Sequence, residues 1–143
     1  MIDPGLEGRV VLVTGASNPY GIGATTAKAF AAQGARVFAH FFRSPSFSFE
    51  GEALEIEGPG EAFYRAQQHK GVDEVLQTVH GLGGRAAAWE ADLSDPAAIP
   101  ELFDRAEAAF GPVEVLVLFL ASEQARWVTG QLLYVGGGRV MPL

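Results

Sequence analysis

From Val13 to Gly23 the chain reads VTGASNPYGIG, with three glycines between an apolar run and an alanine-rich segment. That placement suits an anion-binding turn: a buried strand delivers the loop, and a helix N-terminus offers free N–H groups and a partial positive charge. Each glycine has an expected job. Gly15 permits the tight turn off the strand, Gly21 lets backbone approach a pyrophosphate, and Gly23 lets the helix pack closely on the sheet. Ser17, Tyr20 and Ile22 share the loop and the first helical turn and are candidates to line the same site. Arg43, about twenty residues further on, carries a planar donor fork that matches a phosphate.

Other chemistry is thinly represented. The chain has no cysteine, which excludes disulfides, thiolate catalysis and cysteine-ligated metals, and its 3 histidines are scattered, so no metal site is expected. The lysines are Lys28 and Lys70 and the tyrosines Tyr20, Tyr64 and Tyr134; no tyrosine has a lysine four positions on. No catalytic residue is assigned. His69 and His80 read as helix-surface residues, Trp89 as core and Trp127 as packing at a crossover or subunit contact.

The elements that must position the loop follow from apolar periodicity. Arg9 to Thr14 (RVVLVT) reads as a strand buried on both faces. Gly21 to Gln33 reads as a helix stopped by Gly34, and Arg36 to Phe42 as a second strand, which makes a parallel β-α-β unit. Ser44 to Gly60 holds Glu50, Glu52, Glu55 and Glu57 without a basic residue and reads as a long surface excursion, either functional or simply a solvated acidic loop. Glu61 to Leu82 reads as helix with a possible break at Gly71, Arg85 to Glu90 as a third strand, and Pro96 to Phe110 as a helix with Ser94 and Asp95 as caps. Val113 to Leu118 is the fourth strand; a short helix then leads to a last strand at Gln131 to Val135.

The whole is one domain of 143 residues, long enough to bury a sizeable core. With 48% hydrophobic residues the composition is globular. Ten basic residues against 17 acidic ones give a net charge of −7, which argues against a nucleic-acid-binding surface. No apolar run approaches the ~20 residues of a membrane span, and Met1 to Gly8 does not resemble a secretory signal, so no membrane association and a cytoplasmic location are expected.

The pattern resembles the short-chain dehydrogenase/reductase family. The family loop TGxxxGxG is matched by Thr14, Gly15, Gly21 and Gly23, lengthened by two residues around Asn18-Pro19-Tyr20, a form similar to bacterial reductases acting on 3-oxoacyl thioesters. The resemblance continues at ADLSD, Ala91 to Asp95, and at GPVEVLV, Gly111 to Val117. It resumes at FLASEQARWVTGQLLYVGGG, Phe119 to Gly138, which looks like the family's C-terminal helix and final strand, with Gly136 where an aspartate is usual. The resemblance implies an α/β Rossmann-type three-layer sandwich with a truncated parallel sheet of about five strands. It also implies an adenine contact at Asp92, with Leu93 beside it, although Asp92 could equally cap the turn before Pro96. The family's Asn-Asn-Ala-Gly segment and the middle block with its serine and Tyr-x-x-x-Lys pair have no counterpart: after Val117 the chain passes straight into the C-terminal block.

The ribose-binding position separates the two nicotinamide cofactors. An NAD site carries an acid at the end of the second strand, whereas His40-Phe41-Phe42-Arg43-Ser44 has none, and Arg43 is placed to meet a 2′-phosphate. NADP(H) is therefore favoured over NAD, with an exposed strand-end arginine as the alternative. At the join, 12 residues separate Leu118 from Gln131, near the minimum for a parallel crossover. The last strand could lie beside the fourth, in order 3-2-1-4-5, or the C-terminal segment could be swapped into a partner. Leu118, Phe119, Leu120, Trp127 and Leu133 are candidates for the contact of a homo-oligomer, a dimer or tetramer. Three functions stay open: a nucleotide-binding remnant without the family's chemistry; an active NADPH-dependent carbonyl reductase whose proton donor is Tyr20, His40 or a partner's residue; and a ligand-free interaction module.

Overall fold

The computed structural model describes residues 4–43, 60, 63, 66–67 and 69–117. Most of the acidic excursion, the proposed last helix and strand and the subunit-contact candidates from Leu118 onward lie outside the described residues. Within them run β1 (Val10–Val13), α1 (Ile22–Ala31), β2 (Arg36–Phe41), α2 (Asp73–Gly81), β3 (Arg85–Glu90), α3 (Ala98–Phe110) and β4 (Val115–Val117).

The four described strands form one parallel sheet in the order β3-β2-β1-β4. β1 sits inside it, and all four of its residues are buried, as its unbroken apolar sequence requires. The pleat sends its side chains alternately to two cores. Val11 and Val13 join Val37, Ala39 and Phe41 of β2 beneath α1 and α2. Leu12 joins Phe38 on the opposite face, beneath Leu102 and Ala106 of α3. α1 meets the sheet through Ala24, Ala27 and Ala31, whose spacing of three and four makes one helical stripe, and their small side chains let the helix axis come close. Val75 and Val79 do the same for α2. Trp89 packs half-buried against the α3 core, with the Arg105 guanidinium 4.6 Å from its ring centroid.

The elements are shorter than expected at several ends. α3 begins at Ala98 rather than Pro96, because an Asp95-centred turn occupies Pro96 and Ala97: Asp95 Oδ1 accepts the Ala97 N–H at 2.9 Å and its carbonyl accepts the Ala98 N–H at 3.0 Å. The N-cap of α3 is Ala97, with no side-chain cap bond, so Ser94 and Asp95 do not hold the cap position expected of them, and the Ser94 N–H donates to Asp92 Oδ1 at 2.9 Å. The possible break at Gly71 coincides with a turn at His69 and Lys70, so α2 starts only at Asp73. His80 is exposed on α2, as expected, and His69 is half-buried in the turn.

At the N-terminal edge of the sheet, Glu114 binds both ends of one neighbour. Its carboxylate pairs with Arg9 and accepts the Val10 N–H, and its own N–H donates to the Val10 carbonyl. Hydrogen bonding to Arg9 first, and then to the Val10 backbone, holds the Glu114 carboxyl below its usual range.

His40 is the buried imidazole of β2, 5% exposed, and its Nε2 lies 2.8 Å from the Ala91 carbonyl. A carbonyl only accepts, so Nε2 carries the proton, and Nδ1 has no partner among the described residues. Burial outweighs the Ala91 hydrogen bond and pushes the His40 pKa below 6.5.

Two stability measurements check this packing. Leu12→Ala, at a fully buried position, is expected to cost about 3 kcal/mol in urea unfolding. Leu82→Ala, at an exposed one, should stay within about 0.5 kcal/mol. His40 is held neutral in the fold while the unfolded chain takes up its proton, so its contribution is intact above pH 6.5 and lost as pH falls toward the depressed folded value. The urea midpoint of the wild type should therefore decline below about pH 6.5 more steeply than that of His40→Asn; parallel profiles would exclude this role.

Candidate nucleotide-binding site

The C-terminal ends of the parallel strands gather every candidate residue. α1 and α2 cover one face and α3 the other, so the crossovers part between β1 and β4, the topological switch point at which α/β sheets bind ligands. The glycine loop leaves β1 at that point. Thr14 donates its N–H to the Val117 carbonyl at 3.1 Å, and Ala16 donates to the His40 carbonyl at 3.0 Å, so the loop is stitched to β4 on one side and β2 on the other.

Gly15 adopts φ +68°, the left-handed conformation expected of the turn. A Cβ on Gly23 would stand 2.3 Å from the Gly15 carbonyl oxygen and 3.1 Å from that of Thr14. Gly23 thus allows close packing, but against the backbone of the loop rather than the sheet side chains. Gly21 closes the lengthened part of the loop: its N–H donates to the Asn18 carbonyl at 2.9 Å, and a Cβ there would meet that oxygen at 3.1 Å. Asn18 Oδ1 accepts the Tyr20 N–H at 3.0 Å, an Asx turn, and Lys28 Nζ reaches the Pro19 carbonyl at 3.3 Å from α1. The Asn18 Nδ2 donor is buried and has no partner among the described residues.

The N-terminus of α1 is left open to an anion. No side chain caps it and no acid occupies its first turn, whereas α2 carries Asp73 and Glu74 there and α3 carries Glu101. Tyr20 and Ile22 flank it, each 64% exposed, and the Tyr20 ring lies 5.3 Å from that of Phe63. Ser17 is buried within the loop.

The strand ends beyond the loop carry the remaining candidates. Arg43 follows β2, but its fork does not stand free: Nε and Nη2 donate to the two carboxylate oxygens of Glu90 at 2.8 and 2.5 Å. Hydrogen bonding to Arg43 holds the Glu90 carboxyl below its usual range and raises the arginine further. Glu90 is not among the residues expected from the sequence, since an NAD site carries its acid at the end of the second strand and Glu90 ends the third. The parallel register pairs Phe41 with Glu90, so β3 delivers the acid across the strand; the matched lengths of the two apolar runs are the signal that could have found it. Asp92 is exposed, and hydrogen bonding from the Ser94 side chain first, and then from the Ser94 N–H, holds its carboxyl below the usual range. Leu93 packs half-buried against the Leu12 core. His40 joins the two regions, its carbonyl on the glycine loop and its ring on Ala91, and that buried ring already spends its proton on the Ala91 carbonyl. Among the described residues, no group of three or more His, Asp or Glu is placed to hold a metal ion, and no helix is long and apolar enough to cross a membrane.

No family model matches the chain, but individual proteins do. A short-chain type dehydrogenase/reductase of Picea abies is 34% identical over 118 residues, covering 78% of this chain and 34% of that protein. An NADPH-dependent aldehyde reductase-like protein of Arabidopsis thaliana is 34% identical over 113 residues, covering 78% of this chain and 36% of its own length. The crystal structure of a Burkholderia cenocepacia short-chain dehydrogenase in complex with NADP superimposes with a TM-score of 0.55 at 33% identity, over 78% of this chain and 35% of that one. The chain therefore spans about a third of the length of these relatives. Its parallel sheet, its glycine turn at the end of β1 and these likenesses agree: the chain belongs to the short-chain dehydrogenase/reductase family.

Proposed function

We propose that the chain, as one truncated dinucleotide-binding domain with an excursion at residues 44–60, binds NADP(H) through its pyrophosphate and adenosine half without performing the family's oxidoreductase reaction. The observation that carries this reading is the pairing of a left-handed Gly15 with an uncapped, acid-free α1 N-terminus held against it by Gly23. Those groups suit a pyrophosphate: backbone N–H groups and the helix dipole meet its charge, and Asn18 Nδ2, without a partner among the described residues, adds a buried donor in the same loop. Gly15, Ser17, Tyr20, Gly21, Ile22 and Gly23 form the phosphate side of the proposed site; Asp92 and Leu93 form its adenine side, and Arg43 is the cation for a 2′-phosphate. The Burkholderia relative's complex with NADP and the Arabidopsis relative's NADPH dependence support the choice of ligand.

A bound nicotinamide cofactor would supply hydride, and a carbonyl substrate would then need a proton. No Tyr-x-x-x-Lys pair exists in this sequence to give it, and His40 is a buried ring committed to Ala91. Tyr20, the other candidate donor, is exposed on the loop with its ring 5.3 Å from that of Phe63, and on this reading the described residues of the site bind and orient.

Titration with NADPH, followed by nicotinamide fluorescence, should show saturable binding displaced by adenosine 2′,5′-bisphosphate, without carbonyl-dependent NADPH oxidation across a panel of ketones and acyl thioesters. Ile22→Glu puts a carboxylate into the open first turn at an exposed position. It should weaken NADPH at least about tenfold while leaving the urea midpoint equal or higher, because an acid favours a helix N-terminus. Failure of NADPH to bind at millimolar concentration would overturn the reading, and turnover of a carbonyl would overturn its inactive part.

The edge strand β4 supports a homo-oligomer. It pairs only with β1 among the described residues, and its Leu116 is 45% exposed. Sedimentation at high micromolar concentration should give a dimer or tetramer, and a monomer there would exclude it.

A further inference from the structure

We infer that Glu90 is a specificity-determining residue of this site, competing with a 2′-phosphate for the Arg43 guanidinium and narrowing the preference for NADP(H) over NAD(H). The inference rests on the nucleotide-binding reading above and adds a residue that the reading does not use.

The geometry is that of a clamp. Both oxygens of Glu90 are engaged by the arginine fork, and Oε1 also accepts the Arg43 backbone N–H at 3.2 Å. The side chain and main chain of Arg43 are thus held by one carboxylate. The Arg43 guanidinium also lies 5.9 Å from the centroid of the Phe41 ring, on the strand that pairs with Glu90. A second acid, Asp73 at the start of α2, adds to the negative field at the guanidinium.

The two cofactors meet this arrangement differently. A 2′-phosphate can take the fork only by displacing or sharing Glu90, and it then faces a carboxylate of like charge. A 2′-hydroxyl needs no cation and can donate a hydrogen bond to the same carboxylate. Both side chains stay partly open to solvent, at 53% for Arg43 and 32% for Glu90, so the pair can be exchanged rather than locked. Glu90 therefore plays from β3 the part that an acid at the end of β2 plays in an NAD site, opposed by the arginine beside it.

The test compares NADPH and NADH titrations of the full chain as wild type, Glu90→Gln, Arg43→Gln and the double variant. Glu90→Gln should raise NADPH affinity about fivefold, the size expected for releasing a partly exposed ion pair, with NADH affinity unchanged or lower. Arg43→Gln should remove the preference for NADPH and tilt it toward NADH, because the freed Glu90 carboxylate still accepts from a 2′-hydroxyl and repels a 2′-phosphate, and the double variant should bind both nucleotides about equally. Equal shifts for both nucleotides in Glu90→Gln, or an Arg43→Gln variant that binds NADPH and NADH with the same affinities as the double variant, would overturn the inference while leaving nucleotide binding intact. Absence of binding by the wild type and Glu90→Gln to either nucleotide would overturn the underlying reading and this inference together. Urea unfolding of each variant confirms that the comparison is made on folded protein.

Discussion

The site depends on one close approach, that of the Gly23 backbone to the carbonyl of Gly15. A single added carbon would sit 2.3 Å from that oxygen, so the start of α1 lies directly on the turn leaving β1. Nothing bulkier along α1 interrupts the approach, since Ala24, Ala27 and Ala31 continue the small-residue stripe onto the sheet. The distance between strand end and helix start is thereby fixed by backbone alone. The Asn18 turn and the Lys28 contact with Pro19 then hold the longer part of the loop in place.

A tight backbone joint at β1 contrasts with side-chain joints at the neighbouring strand ends. His40 spans from the loop to Ala91, and Arg43 spans from β2 to Glu90. The first is buried and neutral, so it acts as a fixed spacer; the second is solvated and charged, so it can be rearranged by a ligand. Rigidity where phosphate would be held and exchangeability where ribose would be read are separate physical properties, assigned to different residues of the same sheet rim.

Much of this was legible in the residues. β3 runs from Arg85 to Glu90 as its apolar pattern indicated, and β1, β2 and β4 differ from the expected spans by one or two residues at their ends. Gly15 was legible because a turn directly after a buried strand requires a conformation that other residues rarely adopt. The start of α3 was less so, because the chain first makes a tighter turn, with the Ala98 N–H donating to the Asp95 carbonyl three residues back, before the regular helix begins. Glu90 was hidden for a different reason. Its partner is 47 positions away, and the pairing exists only once the strand register is set. Ser17 reads as a lining residue in sequence yet is buried, since alternation within an irregular loop carries no periodic signal.

The order of strands in the sheet also governs assembly of the chain. β1 meets β2 across a short stretch, Val10 opposite Arg36, but its other neighbour is reached only across 104 positions, where Glu114 binds Val10. Closing a flexible segment costs about 0.6 kcal/mol more for each doubling of its length. The seam between β1 and β4 therefore carries roughly 1 kcal/mol more closure entropy than the seam between β1 and β2. The glycine turn adjoins that costlier seam, so the place where a ligand would bind is also the place where the chain has the most to gain from being held shut.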